Sequence, residues 1–151
     1  MTRQSHAFEE AGAKAAAYAA LYRTDGTHRD LRPSDLAPPD RDDDLLWVDI
    51  EGSDPDLLRA VSDRLQLPDG ALRHLSQLGS SPLLRRYGDF IVVHALVVTP
   101  TESLQFDATV LGIVAGHNIV ITIHPQPVEF IDAIRKREQE DNRLGHLNAR
   151  S

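Results

Sequence analysis

The chain has 151 residues (16.7 kDa), with 16 Lys and Arg against 23 Asp and Glu, a formal charge of -7 and no cysteine. The missing cysteines exclude disulfides and thiolate metal sites. The acidic balance, with no basic run longer than Arg135-Lys136-Arg137, argues against nucleic acid as a partner and suits cations.

The length suffices for one domain with its own core, burying about 70% of its unfolded surface. No apolar run reaches the 18–20 residues or so of a membrane span, and the N-terminus lacks the apolar region of a signal peptide, so the polypeptide is expected to be soluble. Residues 1–12 are small and polar and are expected to be a disordered terminus. From Ala11 to Leu21 the alanine content favours helix. The alternation of Tyr18, Ala20 and Tyr22 into Thr24-Asp25-Gly26-Thr27 instead favours a hairpin, Ala17 to Arg23 against His28 to Leu31. Pro33 to Asp44, with three prolines and five aspartates, reads as a surface loop.

Leu45 to Ile50 reads as a short strand. Asp54-Pro55-Asp56 is a helix start, with Asp54 as cap, Pro55 at the first helical position and Asp56 at the positive end of the dipole. Leu57, Leu58, Val61 and Leu65 then form one apolar stripe, which Pro68 interrupts. A second helix is expected over 69–78, stopping at Gly79. Phe90 to Thr99 reads as a long strand ended by Pro100. The strongest pattern is Asp107 to His124, two β-branched runs joined by Gly116-His117-Asn118, which reads as a hairpin buried on both faces. Pro125-Gln126-Pro127 opens a third helix, with Val128, Ile131 and Ile134 facing inward. This order predicts a mixed sheet with helices on both faces.

Seven histidines are the first candidates for chemistry. His94 and His124 lie in or at the ends of apolar strands and Asp49 near the end of another, so the three could converge as metal ligands or as an acid-base set. The alternative is ordinary hydrogen-bonded core residues, and a turn histidine such as His117 reads as solvated. Asp49 and Glu51 form a carboxylate pair at a strand end, which capping and solubility also explain. The acidic run Asp40-Arg-Asp-Asp-Asp44 lacks the spacing of a calcium loop and reads as solvated. Gly79-Ser80-Ser81-Pro82 is not a nucleophile elbow, and no glycine pattern leads into a helix as a phosphate loop does. No catalytic or cofactor-binding residues are assigned, and the chain is not expected to be an enzyme.

The segments Trp47-Val-Asp-Ile-Glu51, Leu65-Gln-Leu-Pro68, Ala71-Leu-Arg-His-Leu75, Tyr87-Gly-Asp-Phe-Ile-Val-Val93, Leu111 to His124 and Val128 to Arg137 follow one another at telling intervals. In that order they resemble the N-terminal cytoplasmic domain of the CorA magnesium transporters, which include the ZntB zinc transporters. The resemblance spans roughly Tyr18 to Arg137 and implies an α+β fold, a three-layer αβα sandwich with a mixed central sheet, over 13–137. It implies that 138–151 begins a truncated helical stalk leading to two membrane spans with a Gly-Met-Asn signature, which these residues do not contain. The implied parent is a homopentamer of the inner membrane carrying Mg²⁺, Co²⁺, Ni²⁺ or Zn²⁺. This domain would lie on the cytoplasmic side, as a monomer or weak oligomer in isolation, reaching the membrane only through those spans.

In Mg²⁺-gated members a Glu-Asp pair on the second helix holds a regulatory ion. Here that pair falls on Arg73-His74, which does not suit Mg²⁺, while a neutral His74 imidazole suits Zn²⁺. His74, Asp49 and Glu51 are therefore the metal candidates, with Mg²⁺ or Zn²⁺ as transported or regulatory ion. Two other readings stand beside this one: a stand-alone soluble binding or scaffold module, and a small metal-dependent enzyme on Asp49, His94 and His124.

Overall fold

β-Branched and apolar runs punctuated by turn chemistry build one seven-stranded sheet. A computed structural model describes residues 15–79 and 81–148; the expected disordered terminus, 1–12, lies outside the described residues. The strands are β1 (Ala16–Tyr22), β2 (His28–Asp30), β3 (Leu45–Glu51), β4 (Leu83–Tyr87), β5 (Phe90–Pro100), β6 (Phe106–Ala115) and β7 (Ile119–His124). The helices are α1 (Pro55–Leu65), α2 (Asp69–Ser76) and α3 (Glu129–Asn148). Strand order across the sheet is β2-β1-β3-β7-β6-β5-β4, and every neighbouring pair is antiparallel except β3 with β7.

Local chemistry accounts for most of these boundaries. The first hairpin closes as its sequence predicts: Gly26 takes a positive φ of 83°, and the Asp25 carboxylate accepts bonds from the Thr27 amide (2.9 Å) and hydroxyl (2.6 Å). In the second, Gly116 donates its amide to the Ile119 carbonyl at 2.8 Å. Asp54 caps α1 by accepting from the Asp56 amide at 3.0 Å, with Pro55 in the first turn. Gln66 ends α1 in the left-handed conformation, φ 56°.

Alternation along the strands sorts the core into two layers. One face carries Leu46, Val48, Ile50, Val92, Val114, Ile121 and Ile123 against the α1 and α2 residues Leu57, Leu58, Val61, Leu65, Ala71 and Leu75. The other packs Trp47 and Leu111 against Val128, just before α3, and Ile131 of α3. The architecture is thus αβα, as expected, with β3 and β7 buried on both faces.

Four expectations need correction. Ile134 does not point inward but is 44% exposed, because the face of α3 that meets the sheet runs through Val128, Ile131 and Arg135. α2 ends at Ser76 rather than reaching residue 78. β4 was not anticipated, because its exposed, charged Arg85-Arg86 centre hides an edge strand. The loop before β3 contributes to the core after all, through buried Leu36 and Asp44 around a short 3₁₀ turn at Pro33–Asp35.

Gly70, in the first turn of α2, lies directly under the Tyr87 ring of β4, where an added Cβ would stand 2.2 Å from a ring carbon. Alanine normally favours a helix over glycine by about 1 kcal/mol. Here the ring would have to leave its place, so Gly70→Ala is expected to destabilise the fold by about 1–3 kcal/mol. A lower urea midpoint at unchanged slope would show it.

Candidate functional site

A buried polar network joins the sheet to α3. Asp49 lies in the middle of β3, 1% exposed, and His124 ends β7, fully buried. Parallel pairing sets Thr122 opposite Asp49 and His124 opposite Glu51. The His124 Nε2 is 3.0 Å from Asp49 Oδ1 and 3.2 Å from Oδ2. Its Nδ1 is 2.6 Å from the Gln126 carbonyl, which can only accept, so Nδ1 carries a proton. The Thr122 hydroxyl donates to Asp49 Oδ1 at 2.5 Å and accepts from Trp47 Nε1 at 3.0 Å. From α3, the Arg135 guanidinium stands 3.7 Å from Asp49 Oδ2 and 4.4 Å over the Tyr18 ring.

Burial alone would lower the His124 pKa. The hydrogen bond and charge of Asp49, the Gln126 carbonyl and the more distant charge of Glu51 outweigh it, so the net shift is upward. Around the network, Tyr22 donates to the Glu138 carboxylate of α3 and Tyr18 to Asp30 at 3.3 Å. Burial, then these carboxylates, raise both phenol pKa values. Among the described residues no buried side-chain nitrogen or oxygen lacks a partner.

The second cluster lies on the opposite face and joins α2 to β4 and β5. His74 Nε2 is 2.6 Å from the Tyr87 hydroxyl, and His94 Nε2 donates to the His74 carbonyl at 3.0 Å. The two imidazoles meet edge to face, 5.8 Å between centroids. Burial lowers the His94 pKa, and the His74 charge adds to that, against the opposing pull of the carbonyl.

The candidate trio of Asp49, His94 and His124 therefore does not form, and the alternative of hydrogen-bonded histidines holds for His94 and His124. Asp49 and His124 meet, but His94 lies on the other side of the sheet with His74, because strand periodicity turns it toward α2. Among the described residues no three His, Asp or Glu side chains are placed to hold one metal ion. Sequence reasoning missed Thr122, Trp47, Arg135 and Tyr87 as members of these networks. The signal for Thr122 was a lone hydroxyl in an apolar strand; nothing in the sequence signals that β3 and β7 are neighbours. Where the parallel pair ends, an open crevice of about 440 Å³ is lined by Gly52, Ser53, Leu75, Val110, Pro125 and Gln126, among others, with no charged side chain to ligate a cation.

The model of the family described as CorA-like Mg²⁺ transporter protein matches residues 42–150, most of the chain. The chain belongs to this family. No curated protein sequence matches this CorA-like chain. Its fold is similar to that of the complete CorA magnesium transporter from Methanocaldococcus jannaschii, with TM-score 0.64 and 19% identity over 83% of this chain and 37% of that one. The soluble domain of the same archaeal CorA gives TM-score 0.60 and 20% identity, covering 78% of this chain and 44% of that one. The ZntB cytoplasmic domain from Vibrio parahaemolyticus gives 0.65 and 16%, covering 82% and 50%. This chain thus spans half or less of each of those chains. The family is one of metal-ion transporters, membrane proteins with soluble cytoplasmic domains, and not an enzyme class; no helix among the described residues is long and apolar enough to cross a membrane.

Because the folded state holds the His124 proton more tightly than the unfolded chain, stability is fully present below about pH 6.5, the ordinary imidazole value, and falls as pH rises through the raised folded pKa. His124→Gln is expected to remove that slope in urea unfolding followed from pH 5 to 9. Asp49→Ala, which leaves buried His124 and half-buried Arg135 without their carboxylate, is expected to cost about 3–5 kcal/mol.

Proposed function

We propose that this chain is the cytoplasmic regulatory and oligomerisation domain of a CorA/ZntB-like transporter of divalent cations, Mg²⁺, Co²⁺, Ni²⁺ or Zn²⁺. Residues 138–151 begin the helical connector to its membrane part. The observation that carries the reading is the tie between sheet and α3: Asp49, His124 and Arg135 form a buried charge cluster across that junction, and Glu138 receives the Tyr22 hydroxyl one turn further on. A helix fastened in this way moves with the sheet as one body. Changes on the sheet and on α1 and α2 are therefore passed along α3 without a hinge at its start.

Regulation then needs an element with two arrangements whose balance an ion or a proton shifts. α2 is that element in this reading. It is 8 residues long and fastened through the His74–Tyr87 bond, the His94 bond to the His74 carbonyl and the Gly70–Tyr87 contact. A borderline cation such as Zn²⁺ would compete with the Tyr87 hydroxyl for the His74 imidazole, as Mg²⁺ with its preference for oxygen would not. Asp49 and Glu51 are weaker candidates, since Asp49 is already saturated by Thr122, His124 and Arg135.

A thermal-shift series with Mg²⁺, Co²⁺, Ni²⁺ and Zn²⁺ tests this on the chain itself, because a ligand selective for one folded state moves its melting temperature by mass action. Zn²⁺ is expected to give the largest shift and His74→Ala to abolish it. An unchanged Zn²⁺ response in the variant, or unchanged ion response and assembly when His74→Ala is carried in the full transporter, would remove His74 from the mechanism.

A further inference from the structure

β6 outlasts one of its two neighbours. β7 ends at His124 and its pairing with β6 stops at Gly112, so β6 from Phe106 to Leu111 has a strand on the β5 side alone. Which backbone groups this leaves bare follows from the hairpin. Gly116 donates to the Ile119 carbonyl, which makes these two a bonded pair, and antiparallel bonding recurs at every second residue. Even-numbered residues of β6 therefore turn N–H and C=O toward the β7 side, and Val110, Ala108 and Phe106 offer theirs where β7 has already stopped. Among the described residues no backbone group pairs with them there.

The chain's own sequence keeps this edge open. Continued in register, β7 would set residue 125 opposite Val110 and residue 127 opposite Ala108, the two places where the ladder needs an N–H. Both are proline, which has none, and the chain leaves for α3 instead. Ala108, Thr109 and Val110 also line the open crevice of about 440 Å³, a volume in the usual range of binding sites, roughly 300–1,000 Å³. It lies at the carboxyl ends of the parallel pair, where β3 leads to α1 on one face and β7 to α3 on the other. Open sheets take up ligands at such a switch point.

Period-two alternation sorts the side chains beside the edge. Val110 and Ala108 share the α2 face with Gly112, which Leu78 approaches closely, and with Leu96 and Val98, their partners on β5, 44% and 57% exposed. Leu75 and Leu78 line the crevice as well. Thr109 and exposed Asp107 lie on the α3 face, and among the described residues Asp107 has no ion pair. A row of donors and acceptors at strand spacing is matched in number and direction by another extended backbone. We propose that the β6 edge binds an extended peptide segment of a partner protein, added antiparallel to β6 in line with β7. Its apolar side chains stand opposite Val110 and Ala108, a hydroxyl beside Thr109 and a basic residue beside Asp107.

Fluorescence anisotropy of a labelled Val-Thr-Val-Lys-Val amide, titrated with the 151-residue chain, tests this, with folding of each variant checked by circular dichroism. Saturable binding is expected, and N-methylation of the valines, which removes the donors that face β6, is expected to abolish it. Ala108→Pro deletes an outward N–H while the β5 ladder, which uses Asp107 and Thr109, is kept; it is expected to weaken binding by at least about tenfold. Asp107→Lys is expected to reverse the preference between this peptide and its glutamate counterpart, Val-Thr-Val-Glu-Val amide. No saturable binding by the parent chain, whether the edge stays empty or a second copy takes it, overturns the proposal. So does equal binding of the N-methylated peptide, undiminished binding by Ala108→Pro, or an unchanged preference in Asp107→Lys. Neither His74 nor Tyr87 lines the crevice, so this inference and the Zn²⁺ reading fail separately.

Discussion

A carboxylate with almost no access to water sits at the centre of this fold, and much else follows from neutralising it. Asp49 is placed on the parallel seam between β3 and β7, the only one among the described residues, on the face that α3 covers. An unpaired charge there would cost several kcal/mol, so each neighbour is committed to it. Thr122 comes from across the seam, His124 from the next inward position of the same strand, and Arg135 from the helix above. Trp47 completes the set by donating to Thr122. These partners cannot be rearranged independently, which fixes the register of β3 against β7 and the rotation of α3 over both. Among the described residues Val128 and Ile131 pack with Trp47 and Leu111, flanked by Ile113 and Val120, and the polar network adds the specificity that apolar packing lacks.

The two histidine clusters divide the labour between the two faces. His124 is buried, bonded at both ring nitrogens and shifted toward its charged form, which makes it part of the structure. The His74–His94 pair is held by one phenol and one backbone carbonyl, on a short helix, with His94 shifted toward its neutral form. One cluster thus ties α3 to the sheet, and the other ties α2 to β4 and β5. The family to which the chain belongs gives that arrangement its setting in metal-ion transport.

How much of this the sequence disclosed depends on range. Turn and cap chemistry is local, so Thr24 to Thr27, Asp54-Pro55 and Gly116 to Asn118 were legible residue by residue, and so was the apolar stripe of α1. The two-sided burial of β7 was legible in its unbroken apolar run. β4 was not, because an edge strand needs only backbone partners on one side and can carry Arg85-Arg86 outward. Ile134 misled because helical spacing fixes a stripe but not which of two adjacent stripes meets the sheet; Arg135, drawn to Asp49, decided it. The site itself was half legible: Asp49, His94 and His124 stood out as polar residues in or at the ends of apolar strands, and His74 through the family resemblance. Their grouping depended on the sheet order, which no local pattern contains.

The single parallel seam also shapes how this chain must fold. β1 with β2, and β4 through β7 in sequence, close by short antiparallel connections, while β3 returns to β1 over the longer loop after β2. Joining them requires Leu46 to find Ile119 across about seventy residues of intervening chain, with α1 and α2 inside the loop. That closure carries an entropy cost which no hairpin repays until the seam zips. Until that seam zips, Asp49 has no partner on β7, so its charge is compensated only by the longest-range pairing in the sheet.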